Sequence, residues 1–344
     1  MRMTIRADAS DTVGAGHFMR CLALADRVAA QGGCVTFLVT DAHPVITSAL
    51  ADRAHEVLVL ELPKDATPEV DALTSNRALD ADCDWLVVDH YGLDYRWEAA
   101  LRVRTRKLLV IDDLADRRHD CDVLVDPGYG REASDYAALV PSHAEMLLGT
   151  RYALLRHPFA ARHDAAAIRY ERRHVHVFFG SGDAAMRWLA QYCGWLLGAF
   201  ANIHVRAVGR GNRRAIQALV QQYPARFDWQ EQVEDMAAHM AACDVAIGAP
   251  GSATWERACV GLASAIVATA ENQLPILHVL DSARFCRFLG CAWDLDSTHF
   301  TAGVAAFLDD DDALAEMRAH GAAAVDGCGV DRIVRNLVGH GALR

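Results

Sequence analysis

Short apolar runs alternate along the chain with longer stretches in which apolar residues recur every three or four positions. Runs of the first kind suit strands buried in a sheet, and stretches of the second kind suit amphipathic helices. In the first half the strand runs are Met3–Arg6, Cys34–Thr40, Val57–Leu62, Trp85–Asp89, Leu108–Asp112 and Val123–Asp126. Alternation of this kind is the signature of βα units feeding a mostly parallel sheet. The clearest helix is expected from about His17 to Ala30, where Phe18, Cys21, Leu22, Ala25, Val28 and Ala29 share a face and Gly32–Gly33 stop it. A second series, Val175–Phe179, Ile203–Val208, Val245–Ile247 and Ser264–Thr269, predicts a second α/β domain. The charged stretch Arg156–Arg173, which contains Pro158, reads as the linker. The domains are therefore expected at 1–160 and 161–344, with the helices after Ala313 able to pack on either. The acidic run Asp309–Asp312 reads as a solvated turn before a helix.

Composition narrows the picture. At 344 residues the chain exceeds the usual size of one core, which agrees with two domains. A net charge of −11 opposes general binding to nucleic acid or anionic lipid, while leaving room for a local cluster of donors to hold a phosphate. Neither nucleic acid nor a membrane is expected as a partner. The sequence turns strand-like at once, without the apolar stretch of a signal peptide, so a cytoplasmic location is expected. The most apolar stretch, Cys193–Ala201, is shorter than a membrane span and suits a packed helix. Ten cysteines form no C-x-x-C pair and no regular framework, so they read as buried thiols in a reducing compartment, with no metal and no cofactor expected. The oligomeric state is not legible.

The chemistry concentrates at strand ends. The first strand runs into a loop carrying Gly14 and Gly16, where backbone N–H groups can approach an anion at a helix N-terminus. Met19 stands where a dinucleotide fingerprint needs its third glycine, which disfavours a nicotinamide site. His17 opens the helix, and the positive helix end favours a neutral, proton-accepting ring; a helix-terminal histidine that only meets backbone is the plainer reading. The fourth strand ends in Asp89-His90-Tyr91-Gly92, where Tyr91 can donate to a ligand or simply pack, and Asp112 and Asp113 close the fifth with the same ambiguity.

In the second domain, Gly180-Ser181-Gly182 reads either as a phosphate approach or as a tight turn. A fuller cluster runs from Gly248 to Glu256: Gly251 and Ser252 in a small-residue turn, Thr254 with a second hydroxyl, and Glu256 on the helix, where its carboxylate can accept both ribose hydroxyls or merely answer the helix dipole. Glu271-Asn272-Gln273 follows the next strand and suits sugar hydroxyls or amides, or the capping of the helix that comes after.

Together these motifs resemble the UDP-sugar hydrolases of the pseudaminic acid pathway. The resemblance lies in Arg6-Ala7-Asp8 with Gly14 to Ala25, Asp89 to Asp94, Leu147 to Arg156, Thr254-Trp255-Glu256-Arg257 and Glu271-Asn272-Gln273, in that order along nearly the whole chain. It implies a GT-B-like α/β fold, two Rossmann-type domains with mostly parallel sheets facing an interdomain cleft, like that of the lipid II-forming N-acetylglucosaminyltransferase. It also implies release of UDP from UDP-2,4-diacetamido-2,4,6-trideoxy-β-L-altrose, on the way to a sugar used in flagellin glycosylation. By the same resemblance His17 matches the catalytic histidine, Tyr91 an active-site tyrosine and Asn272 a sugar-site residue, with Ser252, Thr254 and Glu256 in the nucleotide pocket. Arg20 and Gln273, inside the matching motifs, join Gly14 and Gly16 on the substrate side, and Gly180, Ser181 and Gly251 join the nucleotide side. The chain departs from the family pattern at Pro250 and Ala253, which changes the backbone donors near a diphosphate. UDP is a good leaving group, so the reaction needs a positioned water, a base and donors for the diphosphate, and none of these requires a metal.

Overall fold

A computed structural model of the chain describes residues 1–11, 14–63, 65–166 and 173–341. It divides into two compact units: one of Met1–Ser10, Ala15–Leu154 and Cys328–Arg344, the other of Asp11–Gly14 and Leu155–Gly327.

The first unit is built on seven strands, β1 (Arg2–Ala7), β2 (Cys34–Val39), β3 (Glu56–Val59), β4 (Cys83–Asp89), β5 (Thr105–Ile111), β6 (Val123–Asp126) and β7 (Glu145–Leu148), in the order β3-β2-β1-β4-β5-β6-β7. Every pairing is parallel. Residues Met3 to Ala7 of β1 are all buried, as expected for a central strand covered by helices on both faces. The first helix, Gly16–Ala30, lays Phe18, Cys21, Leu22, Ala25 and Val28 on the sheet. Ile333, Val334 and Leu337 of the last helix, Gly329–Gly341, enter the same core, so the chain returns to its first unit to finish.

The second unit holds six parallel strands, β8 (Arg173–Phe178), β9 (Ile203–Val208), β10 (Phe227–Gln230), β11 (Val245–Gly248), β12 (Ser264–Ala268) and β13 (Arg287–Cys291), in the order β10-β9-β8-β11-β12-β13. Its core packs Val175, Val177, Val205, Ile247 and Val267 against Leu189, Tyr192 and Leu196 of the helix Asp183–Ala199. The apolar stretch around Cys193 is thus a packed helix, and among the described residues no helix is long and apolar enough to cross a membrane. The acidic run does precede a helix: Asp310 caps Asp311–Ala324, its side chain accepting from the Ala313 N–H.

In both sheets the strand order reverses direction beside the first strand of the unit, between β1 and β4 and between β8 and β11. Loops leaving adjacent strands to opposite faces open a crevice at such a point, which is where open α/β sheets place ligands.

Candidate active site

In the first unit the switch point is filled by charge. The helix Gly16–Ala30 carries His17 in its first turn, and Asp89 ends β4, paired in register with Ala7 of the neighbouring β1. This brings His17 Nδ1 to 2.6 Å from Asp89 Oδ1. Arg20, one turn further on, grips the same carboxylate with two donors, Nε to Oδ2 at 2.6 Å and Nη2 to Oδ1 at 2.7 Å. Asp89 is 1% exposed. Burial alone would raise its pKa, but the charge of Arg20 and the hydrogen bonds from Arg20 and His17 outweigh burial and hold it well below the usual carboxylate range. An ionised Asp89 only accepts, so the Nδ1 of His17 carries the hydrogen between them, and in the neutral ring the lone pair is then on Nε2. A histidine fixed in this tautomer by a buried carboxylate is arranged as a proton acceptor.

A second carboxylate extends the cluster. Arg20 Nη1 donates to Asp113 Oδ2 at 2.7 Å, and the Tyr91 hydroxyl donates to Asp113 Oδ1 at 2.9 Å. The edge of one of the His17 and Tyr91 rings meets the face of the other at a centroid distance of 4.5 Å. Burial and the neighbouring Asp113 push the Tyr91 hydroxyl far above its usual range, so it stays a neutral donor. His90, next in sequence, is occupied locally: its Nδ1 accepts from the Gly92 N–H at 3.0 Å, and its Nε2 lies 3.5 Å from Asp8. Asp8 also pairs with the fully buried Arg6, which in turn holds Asp71 at 2.8 Å, and this anchors the start of the loop after β1.

The second unit treats its switch point differently, with backbone and small side chains. A Cβ on Gly14 would lie 3.3 Å from Ser181 Oγ, so the two glycine-bearing loops are adjacent, and the Asp183 N–H donates to Asp11 O at 2.6 Å. Gly248 ends β11 so close to β8 that a Cβ there would sit 1.8 Å from Phe178 O. Gly251 has φ +104, a conformation that leads into the helix Ser252–Cys259. Thr254 is buried, and its Oγ1 has no hydrogen-bond partner among the described residues. Glu256 is largely buried 3.6 Å from Arg156; burial raises its pKa against the pull of Arg156 and Arg257. In the turn Glu271–Gln273, Gln273 Oε1 accepts from the Thr269 and Ala270 N–H groups at 2.8 and 3.2 Å, while Asn272 is exposed.

Comparison with known proteins places this geometry in context. The chain is 31% identical over 160 residues to a Campylobacter jejuni protein named UDP-2,4-diacetamido-2,4,6-trideoxy-beta-L-altropyranose hydrolase. The match covers 46% of this chain and 53% of that protein, so the chain spans about half the length of its curated relative. No family model matches. Solved structures are similar over nearly the full length at low identity. Acinetobacter baumannii MurG has a TM-score of 0.65 at 16% identity, covering 98% of this chain and 99% of that one. The spinosyn rhamnosyltransferase SpnG has 0.68 at 13%, covering 98% and 100%. Staphylococcus aureus MnaA with UDP has 0.68 at 11%, covering 100% and 97%. These likenesses establish the fold as α/β of the GT-B type.

The structure thus brings His17, Arg20 and Tyr91 into one cluster in the first unit, where Gly16 opens the helix that carries two of them. Gly14 joins Ser181 in the second unit, and Gly251, Ser252, Thr254 and Glu256 share one turn-and-helix segment there. Three participants stand in the strand-end motifs of the sequence without a role that the sequence assigns. Asp89 and Asp113 hold the histidine and tyrosine, and the signal for Asp89 was present as an acid at the end of a strand. Arg257 is the third: fully buried, it donates Nη2 to Ala249 O at 2.7 Å and braces the Gly248–Gly251 turn from behind. Burial lowers its pKa to about 10, still high enough to keep it charged. Among the described residues no group of three or more His, Cys, Asp or Glu is arranged to hold a metal ion, and all ten cysteines are free.

Proposed function

We propose that this chain is a nucleotide-sugar hydrolase that releases UDP, with UDP-2,4-diacetamido-2,4,6-trideoxy-β-L-altrose as its substrate and the cytoplasm as its place of work. The observation that carries this reading is the His17–Asp89 contact at 2.6 Å, with Arg20 keeping the carboxylate ionised. The partial likeness to a protein named for that hydrolysis supports the choice of substrate. His17 Nε2 takes a proton from water as the oxygen attacks the anomeric carbon on the face opposite UDP. The carbon–oxygen bond to the diphosphate breaks, and UDP leaves with the bonding pair. The free sugar has the inverted configuration. Asp89 keeps Nδ1–H in place and stabilises the imidazolium that forms. Tyr91, Asn272 and the remaining amide of Gln273 are offered to the sugar. Backbone N–H groups near Gly14, Gly180, Ser181, Gly251 and Ser252 take the diphosphate, and Thr254 and Glu256 take the nucleoside. No step is routed through a metal.

The glycosyltransferase names carried by several similar structures motivate a second reading, in which an acceptor hydroxyl replaces water. One experiment separates the two: incubation with a panel of UDP-sugars, without acceptor, in heavy-oxygen water. The hydrolase reading expects UDP release without acceptor, label in the sugar and none in UDP. Turnover only on adding an acceptor favours the transferase, and label in UDP means attack at phosphorus.

A further inference from the structure

Behind Asp113 a buried tyrosine hydroxyl meets two carboxylates. Tyr136 Oη lies 2.9 Å from Asp112 Oδ2 and 2.8 Å from Asp126 Oδ2, and all three residues are fully buried. The hydroxyl owns one hydrogen, and an ionised carboxylate owns none. With both acids ionised, one of the two contacts sets lone pairs against each other inside the protein, which favours a second hydrogen in the cluster.

The surrounding charges decide where it sits. Asp112 is served by Arg117 Nη1 at 2.8 Å and by the Ala115 N–H at 2.8 Å; His119 Nε2 lies 4.0 Å away, its Nδ1 bound to Glu98 at 2.7 Å. Arg117 is shared with Asp116. Asp126 has Arg131 at 2.6 Å, which also approaches Asp135 at 3.9 Å, and it accepts from the Gly128 N–H at 2.6 Å. Burial raises Asp126 to about 6 even against Arg131, with the charge of Asp113 adding to the rise, and this marks it as the proton holder. Arg131 links the cluster to the site: while its Nε holds Asp126, its Nη2 donates to the main-chain oxygen of Asp113 at 2.8 Å. Asp113 is the residue on which Arg20 and Tyr91 are fastened.

We propose that Tyr136, Asp112 and Asp126 share one proton beyond the phenol's own and that this proton positions Asp113, and through it Tyr91 and Arg20. The proposal rests on the reading above for what Tyr91 and Arg20 do. Loss of the proton leaves two carboxylates facing each other across the phenol, draws Arg131 toward Asp126 and loosens its hold on Asp113. The sign follows from linkage. Between the ordinary aspartate value and about 6 the folded protein keeps a proton that the unfolded chain releases, so stability falls as pH rises through that window and levels off above it.

The test is a titration of the full chain with carbon-13-labelled aspartate carboxyls and labelled tyrosine rings, in wild type, D126N and Y136F, with kcat and KM measured over the same pH range. One carboxyl is expected to titrate near 6 and to vanish in D126N, with the Tyr91 ring signals moving at the same midpoint in wild type only. Y136F, lacking the bridge, should also uncouple Tyr91, and D126N alone suffices if Y136F does not fold. The turnover limb with that midpoint should be lost from kcat in D126N with KM little changed. Coupled titration without any turnover upholds the positioning element and removes the hydrolase reading. An Asp126 that titrates in the ordinary carboxylate range, or a Tyr91 that ignores its titration, overturns the proposal whatever the chain hydrolyses.

Discussion

The two units share one strand plan and place their candidate residues at the same topological point, yet they fill it with different chemistry. The first packs a histidine, an arginine, a tyrosine and two aspartates into one hydrogen-bonded cluster. At the point equivalent in the second unit stand Gly180, Ser181, Gly248, Gly251 and Ser252, with ionic groups set back: Arg257 behind the turn and Glu256 further along the helix. Backbone N–H groups suit a ligand that arrives already charged, whereas moving a proton needs side chains whose charges are fixed by neighbours. On the proposed function one fold plan serves a binding half and a reacting half, and each half is open to attack by substitution.

The largest effect is expected at Gly248. A Cβ 1.8 Å from Phe178 O forces β11 and β8 apart, so Gly248→Ala should cost about 3 kcal/mol of unfolding free energy, read by denaturant titration. An unchanged midpoint would mean that this turn tolerates bulk and is not held by close strand packing. Next comes Asp89→Asn, which keeps the shape but lets Nδ1 of His17 lose its fixed hydrogen; turnover should drop by ~10²-fold with UDP affinity unaltered. If affinity fell instead, the division between the halves would fail.

Gly251→Ala probes the binding half alone. Its left-handed backbone costs an alanine about 1–2 kcal/mol, so UDP affinity should weaken about tenfold by calorimetry while the rate from bound substrate persists. Glu256→Gln should weaken UDP by about 1 kcal/mol, since one hydrogen bond to ribose survives. The smallest effect is none at all: exhaustive chelation should leave turnover intact, and loss restored by a divalent ion would contradict the metal-free reading.

How much of this was legible follows a physical line. Strands buried on both faces, such as Trp85–Asp89 and Ser264–Ala268, announce themselves as apolar runs. The strands that sequence reading did not assign, β7, β10 and β13, are all sheet edges, short and mixed in polarity as in Phe227-Asp228-Trp229-Gln230, because one side lacks a neighbouring strand. His17 and Tyr91 could be named from their motifs. Asp89 stood in plain sight, but its role depends on β4 lying beside β1, a pairing between residues some eighty positions apart that no local pattern encodes. Arg257 was hidden for a related reason: its neighbour Glu256 has the same strand-end setting, and only the three-dimensional turn shows which of the two braces it.

The central claim is that the base resides in the first unit and the nucleotide contacts in the second. Parallel measurement of kcat and of UDP affinity in His17→Ala tests it most directly. The account predicts a fall in kcat of at least ~10²-fold with UDP binding unchanged. Near-normal turnover, or a loss of UDP affinity that matches the loss of rate, would contradict it.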